Sequence, residues 1–273
     1  MLKSTPVGLV AELWRFPVKS MQGEPIVEAH ITGRGILGDR SFALLDAKTG
    51  LPATASDTKL FARLLACRAC FVDAPTPDGD SPPVRITLPN GATVTTDSPE
   101  LPRLLTAHFA RELVLARTTS PAYSASQAAF FAKVGIRLPP TQTFVDFCPL
   151  SLITSSTLDA LAMRRPEARF DLGRFRMNIK VTTAAPGCVE NEWVNGRLQV
   201  GSTVQLAVPM ADPRCLVTTL AQGDLPKDSS ILRTIAHVNS PAVGTWGPLP
   251  CAGVYAEVLT SGTIRLGDAV LLV

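Results

Sequence analysis

The sequence lacks features that mark several large protein classes. No apolar run approaches the roughly 20 residues of a membrane helix. The N-terminus MLKSTPVGLVAELWRF has neither a secretory nor a transit-peptide pattern. Charged residues make up only 18% of the chain, and the net charge is +3 with the basic residues scattered. We therefore expect no membrane span, no nucleic-acid partner and a cytoplasmic location.

Histidines and paired cysteine motifs are also scarce. His30, His108 and His237 lie far apart, which argues against a hydrolase triad. Cys67 and Cys70 form a lone CxxC with no second pair, so core packing explains them better than a zinc site does. The six cysteines of a cytosolic chain of 273 residues are expected to be free thiols.

Most of the sequence alternates apolar and polar residues with the period of two that is typical of β-strands. Turn sequences such as Pro89-Asn90-Gly91 and Asn195-Gly196 separate these stretches. The pattern predicts a mainly β fold of the barrel or sandwich type. The predicted strands are Val7–Arg15, Ile26–Ile31, Ser41–Asp46, Cys67–Asp73, Val84–Leu88, Ala92–Thr96, Glu112–Arg117, Arg176–Thr182, Arg197–Val208, Gly253–Thr260 and Thr263–Val273.

Helices are predicted to be few and short, which makes the fold class α+β with strands in the majority. Each predicted helix starts at a capping hydroxyl ahead of apolar residues at helical spacing. The starts are Ser98, Ser155 or Ser156, and Ser229 or Ser230. Residues 118–142 lose the alternation and gain Pro, Ser and Ala, which is typical of a connector. The predicted domains are therefore 1–120 and 121–273.

Two loops in the first domain carry candidate anion ligands. Lys19 and Ser20 follow a strand, and a cation, a hydroxyl and free backbone N–H groups together suit a phosphate. Arg40 ends the loop Gly33–Arg40, which precedes a strand and so does not fit a dinucleotide fingerprint. Its guanidinium suits bidentate anion binding. The alternatives are a solvated lysine and an Asp39–Arg40 pair that fixes the turn.

Two segments in the second domain carry further candidates. Arg176 and Asn178 lie two apart in a predicted strand, so they are expected to share one face and to suit a heterocycle edge next to a phosphate. Structural ion pairing is the alternative. Cys215 follows a proline turn, and the adjacent Arg214 favours the thiolate, which ligates soft metals. The alternative is a buried, inert thiol. The hydroxyls of Ser151–Thr157 are either helix caps alone or caps that also meet a ligand.

In this order the segments resemble the MOSC family together with its N-terminal β-barrel partner. The matching stretches run from about Leu13 to Val273, so the resemblance spans nearly the whole chain, and their combination is specific although no single one is. Within the family the similarity is greatest to the branch of the mitochondrial amidoxime-reducing component and its bacterial relatives. The stretches are FPVKS, GILGDRSFALLD, PLSLITSSTLDAL, RFRMNIKV, VENEW, QVGSTVQLAVPMADPRCLVTT and GTIRLGDAVLLV.

The resemblance implies a β-barrel MOSC domain packed on an N-terminal β-barrel-like domain, with a pterin cofactor in a cleft lined by both. It implies that Cys215 ligates the metal of a molybdenum cofactor (Mo-molybdopterin). The implied activity is reduction of small N-oxygenated compounds such as amidoximes and hydroxylamines, with electrons from a separate reductase or iron–sulfur protein. The implied cofactor-binding residues are Lys19, Ser20, Arg40, Thr154, Ser155, Thr157, Arg176 and Asn178.

Two positions depart from the family pattern. Met177 stands where the family usually has proline. The segment Glu190–Trp193 replaces an acidic pair before the tryptophan, which leaves the proton donor unassigned. Two alternative functions stay open: a sulfur carrier with a persulfide on Cys215, and a non-catalytic module that binds or stores the cofactor.

Overall fold

A computed structural model of the chain describes residues 4–79, 81–117 and 144–273. The predicted connector and domain boundary lie outside these residues. None of the helices in the described ranges has the length and apolar character needed to cross a membrane. The strands are β1 Thr5–Arg15, β2 Glu24–Ile26, β3 Glu28–Thr32, β4 Gly35–Ile36, β5 Ala43–Asp46, β6 Arg68–Phe71, β7 Val84–Thr87, β8 Thr93–Thr95, β9 Leu113–Ala116, β10 Leu150–Thr154, β11 Ile179–Thr182, β12 Arg197–Val200, β13 Val204–Pro213, β14 Cys251–Thr260, β15 Gly262–Arg265 and β16 Ala269–Leu272. The α-helices of the described part are α1 Leu101–Phe109, α2 Ser155–Arg164, α3 Leu172–Phe175 and α4 Ser230–Val238.

Seven strands form a closed barrel in the order β11-β10-β14-β13-β12-β16-β1. The 11-residue strand β1 closes it, because one half pairs with β16 and the other half with β11. Buried aliphatic side chains such as Val10, Leu152 and Val254 fill the barrel core. The alternation along these strands places one face of each inside, as the sequence pattern requires.

The N-terminal half forms smaller sheets with their own core. The sheets β6-β7-β8 and β5-β9 share a core that includes Phe42, Ile86 and Leu105, whereas the third sheet, β15-β3-β4, packs on the barrel core through Ile31 and Ile264. The halves exchange strands, since β1 closes the barrel of the second half and β15 pairs with β3 of the first. The predicted fold class, mainly β with a barrel packed on a β-rich N-terminal domain, is confirmed.

The predicted strand Arg176–Thr182 is wrong at its start. Residues 172–175 form helix α3, and Arg176 follows it in the left-handed conformation with φ 54°. The strand begins only at Ile179. Arg176 and Asn178 therefore do not share a strand face, although both reach the same cavity.

Three smaller expectations are also corrected. The predicted strand Thr263–Val273 is two strands, because Gly267 turns the chain with φ 86°. Ser98 does not cap α1, because its Oγ accepts from the N–H of Glu100, the residue directly before the helix, at 3.2 Å. Helix α2 is capped by Thr154, whose Oγ1 accepts from the N–H of Thr157 at 3.2 Å, rather than by a serine.

Candidate functional site

A cavity of about 680 Å³ opens between the barrel and the N-terminal half. Ligand pockets for small molecules typically fall between about 300 and 1,000 Å³. Loops after β1 and β4, the end of α3 and the end of β13 contribute side chains to its wall. Six of the nine predicted site residues line it. They are Lys19, Ser20, Arg40, Arg176, Asn178 and Cys215.

Three of these residues hold an uncommon backbone conformation. Ser20, Arg40 and Arg176 have φ values of 64°, 45° and 54°, and they make up three of the five non-glycine residues with positive φ in the described ranges. Such a conformation costs a non-glycine residue on the order of 1–3 kcal/mol and tends to cluster at ligand sites. Local bonds hold it here: the Oγ of Ser20 accepts from the N–H of Ala55 at 3.0 Å, and the N–H of Arg176 donates to Leu172 O at 3.1 Å.

Arg40 and Arg176 form a paired cationic wall. Both guanidinium carbons lie 4.6 Å from the ring centroid of Phe16, within cation–π distance. Arg40 Nη2 also donates to the carbonyl of Arg176 at 2.9 Å, and Arg40 is ion-paired with buried Asp39. The Asp39–Arg40 pair of the alternative interpretation is therefore present, and the same turn places Arg40 in the cavity wall, where anion binding stays a prediction. Asn178 Oδ1 accepts from Arg40 Nη1 at 3.3 Å and supports this wall.

Cationic side chains outnumber carboxylates around the cavity. Lys19, Arg40, Arg174, Arg176 and Arg214 line it, against Asp146 and Asp212. Burial and the adjacent Arg40 lower the pKa of Arg176 to about 9, so this guanidinium remains a cation at neutral pH in a site that disfavours its charge. A bound anion relieves that cost, which makes this end of the cavity suited to a phosphate.

Not every cation is available to a ligand. Arg174 is committed to the fold, because it donates to the carbonyls of Arg169 and Pro226, each at 2.8 Å. The ammonium of Lys19 donates to Phe144 O at 3.0 Å and pairs with Asp146. Lys19 is 5% exposed, so it sits in the wall rather than in solvent. The solvated-lysine alternative is wrong.

Cys215 is distinguished from the other cysteines by its exposure. It follows β13 and precedes a short 3-10 turn at Leu216–Thr219. All six cysteines are free, and Cys215 is the exposed one, whereas the others are buried or half-buried. Burial raises the pKa of Cys67 to about 11 and that of Cys251 to about 12, so these thiols are inert at neutral pH.

Cys215 is expected to react first with a thiol reagent. Limited iodoacetamide treatment of the folded, cofactor-free protein should place the label on Cys215, and Cys215→Ser should slow the initial labelling on the order of tenfold or more, because the remaining thiols are shielded. Peptide mass mapping reads the site. Equal early labelling of Cys70 or Cys188, the two half-buried thiols, would contradict the assignment.

Thr154, Ser155 and Thr157, at the start of α2, do not line the cavity, so the expectation that they line the cleft is not met. Thr154 and Thr157 are fully buried. Their hydroxyls donate to the two carboxylate oxygens of Glu190, each at 2.6 Å. The Oγ of Ser155 accepts from the N–H of Thr183 at 3.2 Å. These bonds tie α2 to its neighbours, and the same bonds withhold Glu190 from the cavity.

Replacing Thr157 with valine is expected to destabilise the fold without changing the cavity. The substitution leaves one oxygen of buried Glu190 without its donor, which costs about 1–3 kcal/mol of unfolding free energy. Denaturant unfolding measures this loss. The amount of the expected molybdenum cofactor bound per folded protein should stay constant. Thr182→Val, at an exposed strand position, is the matched control and should stay within about 0.5 kcal/mol. Loss of ligand at full stability would return Thr157 to the binding site.

Comparison with known families agrees with this architecture. The family model of the MOSC domain matches residues 139–271, and that of the MOSC N-terminal beta barrel domain matches residues 7–129. The chain belongs to the MOSC family. Between them, the two MOSC matches account for most of the chain.

Curated relatives of this MOSC protein match along almost all of its length. Mitochondrial amidoxime-reducing component 1 of Mus musculus is 24% identical, over 97% of this chain and 82% of the relative. Mitochondrial amidoxime-reducing component 1 of Homo sapiens is 26% identical, over 97% and 83%. Among solved structures, the YuaD protein of Bacillus subtilis aligns over 100% of this chain and 98% of its own, with 12% identity and a TM-score of 0.45.

The chemistry of Asp212 and Tyr255 was missed by the sequence reasoning, although both line the cavity. Asp212 stands in the same segment as Cys215, but the predicted strand ended at Val208, so the place of Asp212 inside strand β13 gave no local signal. Tyr255 had no local signal, because its place beside Asp212 depends on the pairing of β13 with β14.

Proposed function

We propose that this MOSC protein is a molybdenum-cofactor-dependent reductase of small N-oxygenated compounds such as amidoximes and hydroxylamines. The observation that carries the proposal is that the exposed thiol of Cys215 and the cationic side chains of Arg40 and Arg176 line one cavity of about 680 Å³. Both arginines have the left-handed backbone conformation. The similarity to amidoxime-reducing components supports the substrate class.

The residues present fit a phosphorylated pterin that carries its own sulfur ligands. Arg40, Arg176 and Lys19 provide the charge for the phosphate, and Ser20 lies at the same end of the wall. Within the described ranges no group of three or more His, Cys, Asp or Glu side chains is arranged to hold a metal ion. A metal bound through Cys215 therefore takes its remaining ligands from the cofactor.

In this proposal each group has a distinct task. Arg40 and Arg176 bind and orient the phosphate end, and Asn178 fixes Arg40. Lys19 adds positive charge from the wall, where its ammonium is held by Phe144 O and Asp146. Cys215 supplies the thiolate ligand. The bound cofactor supplies the two-electron redox chemistry. The electrons come from a separate reductase or iron–sulfur protein, the N–O bond breaks, and the oxygen leaves as water after uptake of two protons.

Reduction of benzamidoxime by the purified, molybdenum-loaded protein tests the proposed activity. With an artificial electron donor, the protein should convert benzamidoxime to benzamidine in proportion to its molybdenum content. The protein stripped of cofactor is the control and should show no conversion. If fully loaded protein reduces no N-oxygenated compound, the protein is a module that stores or binds the cofactor rather than a reductase.

The exposure of Cys215 also favours a second candidate, a sulfur carrier. An exposed thiol at a cavity mouth is accessible to a sulfur donor and can hold a persulfide. Metal-free protein that releases cyanide-labile sulfur, with the release lost in Cys215→Ser, would support the carrier over the reductase.

A further inference from the structure

The cavity contains a buried carboxyl group that the proposed cofactor site does not use. Asp212 is 1% exposed and lines the wall near Cys215. Its Oδ2 pairs with Arg214, while its Oδ1 lies in no well-formed hydrogen bond in the described part of the chain, and the Tyr255 hydroxyl is the donor that acts on this carboxyl group. A buried carboxylate oxygen without a well-formed hydrogen bond costs about 1–3 kcal/mol, so its presence calls for a functional explanation.

The barrel places the hydroxyl of Tyr255 beside this carboxyl group. Met210 on β13 lies opposite Tyr255 on β14. Asp212 is two residues beyond Met210 and shares its strand face, so it is the diagonal neighbour of Tyr255 across the strand pair. Unlike Asp212, Tyr255 is partly exposed, and it lines the cavity directly. Both side chains therefore border the space for a ligand, and Tyr255 is the more accessible of the two.

A β-bulge holds this arrangement. Ala211 pairs with Val254, but Pro213 pairs with Cys251, so β14 has one extra residue opposite Asp212. Gly253 lies in the bulge with φ 87°, and a Cβ there would approach Leu152 O to 2.3 Å. Bulges of this kind redirect side chains and are common next to active sites.

The protonation states of the pair complement each other. Burial raises the pKa of Asp212 to about 6, against the opposing effects of Arg214 and Tyr255. Burial and then Asp212 raise the pKa of Tyr255 well above its usual range, so the tyrosine keeps its proton. The other charged and titratable groups that act on the pair are Arg40, Asp146, Cys148 and Cys251. Asp212 is thus protonated below about pH 6 and ionised above it.

We propose that Tyr255 and Asp212 form the proton relay of the cavity, in which the Tyr255 hydroxyl donates to the oxygen that leaves the substrate and Asp212 returns a proton to the tyrosine. This inference rests on the proposed function. Two electrons from the separate electron-donor protein break the N–O bond. The relay passes two protons in succession to the leaving oxygen and the nitrogen, and Asp212 regains each proton from solvent through the cavity. Glu190 does not compete for this role, because both of its oxygens are bonded to Thr154 and Thr157 away from the cavity.

Tyr255→Phe and Asp212→Asn test the relay in molybdenum-loaded protein. Tyr255→Phe keeps the ring that stacks on Phe147 at 5.2 Å and removes only the hydroxyl. It should lower kcat for benzamidoxime by about 10²–10⁴-fold at unchanged molybdenum content, the range typical of a lost general acid. Asp212→Asn should lower kcat similarly and abolish the fall in kcat as the pH rises through about 6. Asp46→Asn, at a buried, Arg111-paired aspartate outside the cavity, is the matched control and should keep both kcat and the pH profile.

Infrared spectroscopy gives a readout that is independent of turnover. In cofactor-free protein, a carboxylic-acid band should disappear as the pH rises through about 6, and it should be absent from Asp212→Asn but present in Asp46→Asn. Wild-type kcat and pH profile in both relay variants, or no such band in the wild type, would overturn the relay. Fully loaded wild type that reduces no N-oxygenated compound overturns the proposed function and the relay with it. Active wild type with an equally active Asp212→Asn overturns the relay alone.

Discussion

Cys215→Ala is expected to abolish both metal binding and reduction of benzamidoxime. The thiolate is the proposed protein ligand to molybdenum, and losing an orienting group outside the ligand sphere already costs about 10–100-fold in metal affinity or activity. Removing the ligand itself should cost at least that much. Molybdenum and pterin content of the purified variant, with benzamidoxime turnover per protein, measures the effect.

The control for this variant is Cys70→Ala. Cys70 is half-buried in β6 of the N-terminal half and does not line the cavity. The Cys70→Ala variant should keep wild-type metal content and turnover. If Cys215→Ala also retains stoichiometric molybdenum and full turnover, the thiolate is not the ligand and the proposed site is wrong.

Arg40→Ala and Arg176→Ala are expected to lower cofactor occupancy without unfolding the protein. Each substitution removes a cation from the wall beside Phe16, where charge-assisted hydrogen bonds to a phosphate are worth about 1.5–3 kcal/mol. That range corresponds to a roughly 10- to 100-fold weaker cofactor affinity. Pterin fluorescence after gel filtration measures occupancy, and thermal unfolding checks the fold.

Arg169→Ala is the matched control for the two cavity arginines. Arg169 is exposed, pairs with Asp171 and Asp224, and does not line the cavity. The variant should keep wild-type occupancy, so a drop confined to Arg40→Ala and Arg176→Ala assigns the effect to the cavity rather than to net charge. Unchanged occupancy in both cavity variants would discredit the cationic wall as the phosphate site.

The part of the fold that could be predicted from the sequence is the part that local patterns determine. Strands with clear alternation and hairpin turns were predicted, and Gly91 and Asn195 adopt the positive φ that such turns need. The closure of the barrel was not predictable, because β1 pairs with strands about 170 and 265 positions away. Pairing over such distances depends on the whole set of strands rather than on any local pattern.

The candidate site shows the same division. Cys215 and Arg40 were locally ambiguous, since an inert thiol and an Asp39–Arg40 pair explained them equally well or better, and only the ordered combination of segments singled them out. Arg176 was placed in the site through a wrong secondary structure, since a helical turn and a left-handed residue present it instead of a strand face. The resemblance placed Thr154 and Thr157 in the cleft, but both of their hydroxyls donate to the buried carboxylate of Glu190.

Metal and pterin analysis of the purified wild-type protein tests the central claim most directly, because the claim is that the cavity holds a molybdenum cofactor. We predict molybdenum and pterin in stoichiometric amounts with each other and with the chain. Protein that contains neither after expression in a host that makes the cofactor, but carries cyanide-labile sulfur on Cys215, would contradict the claim.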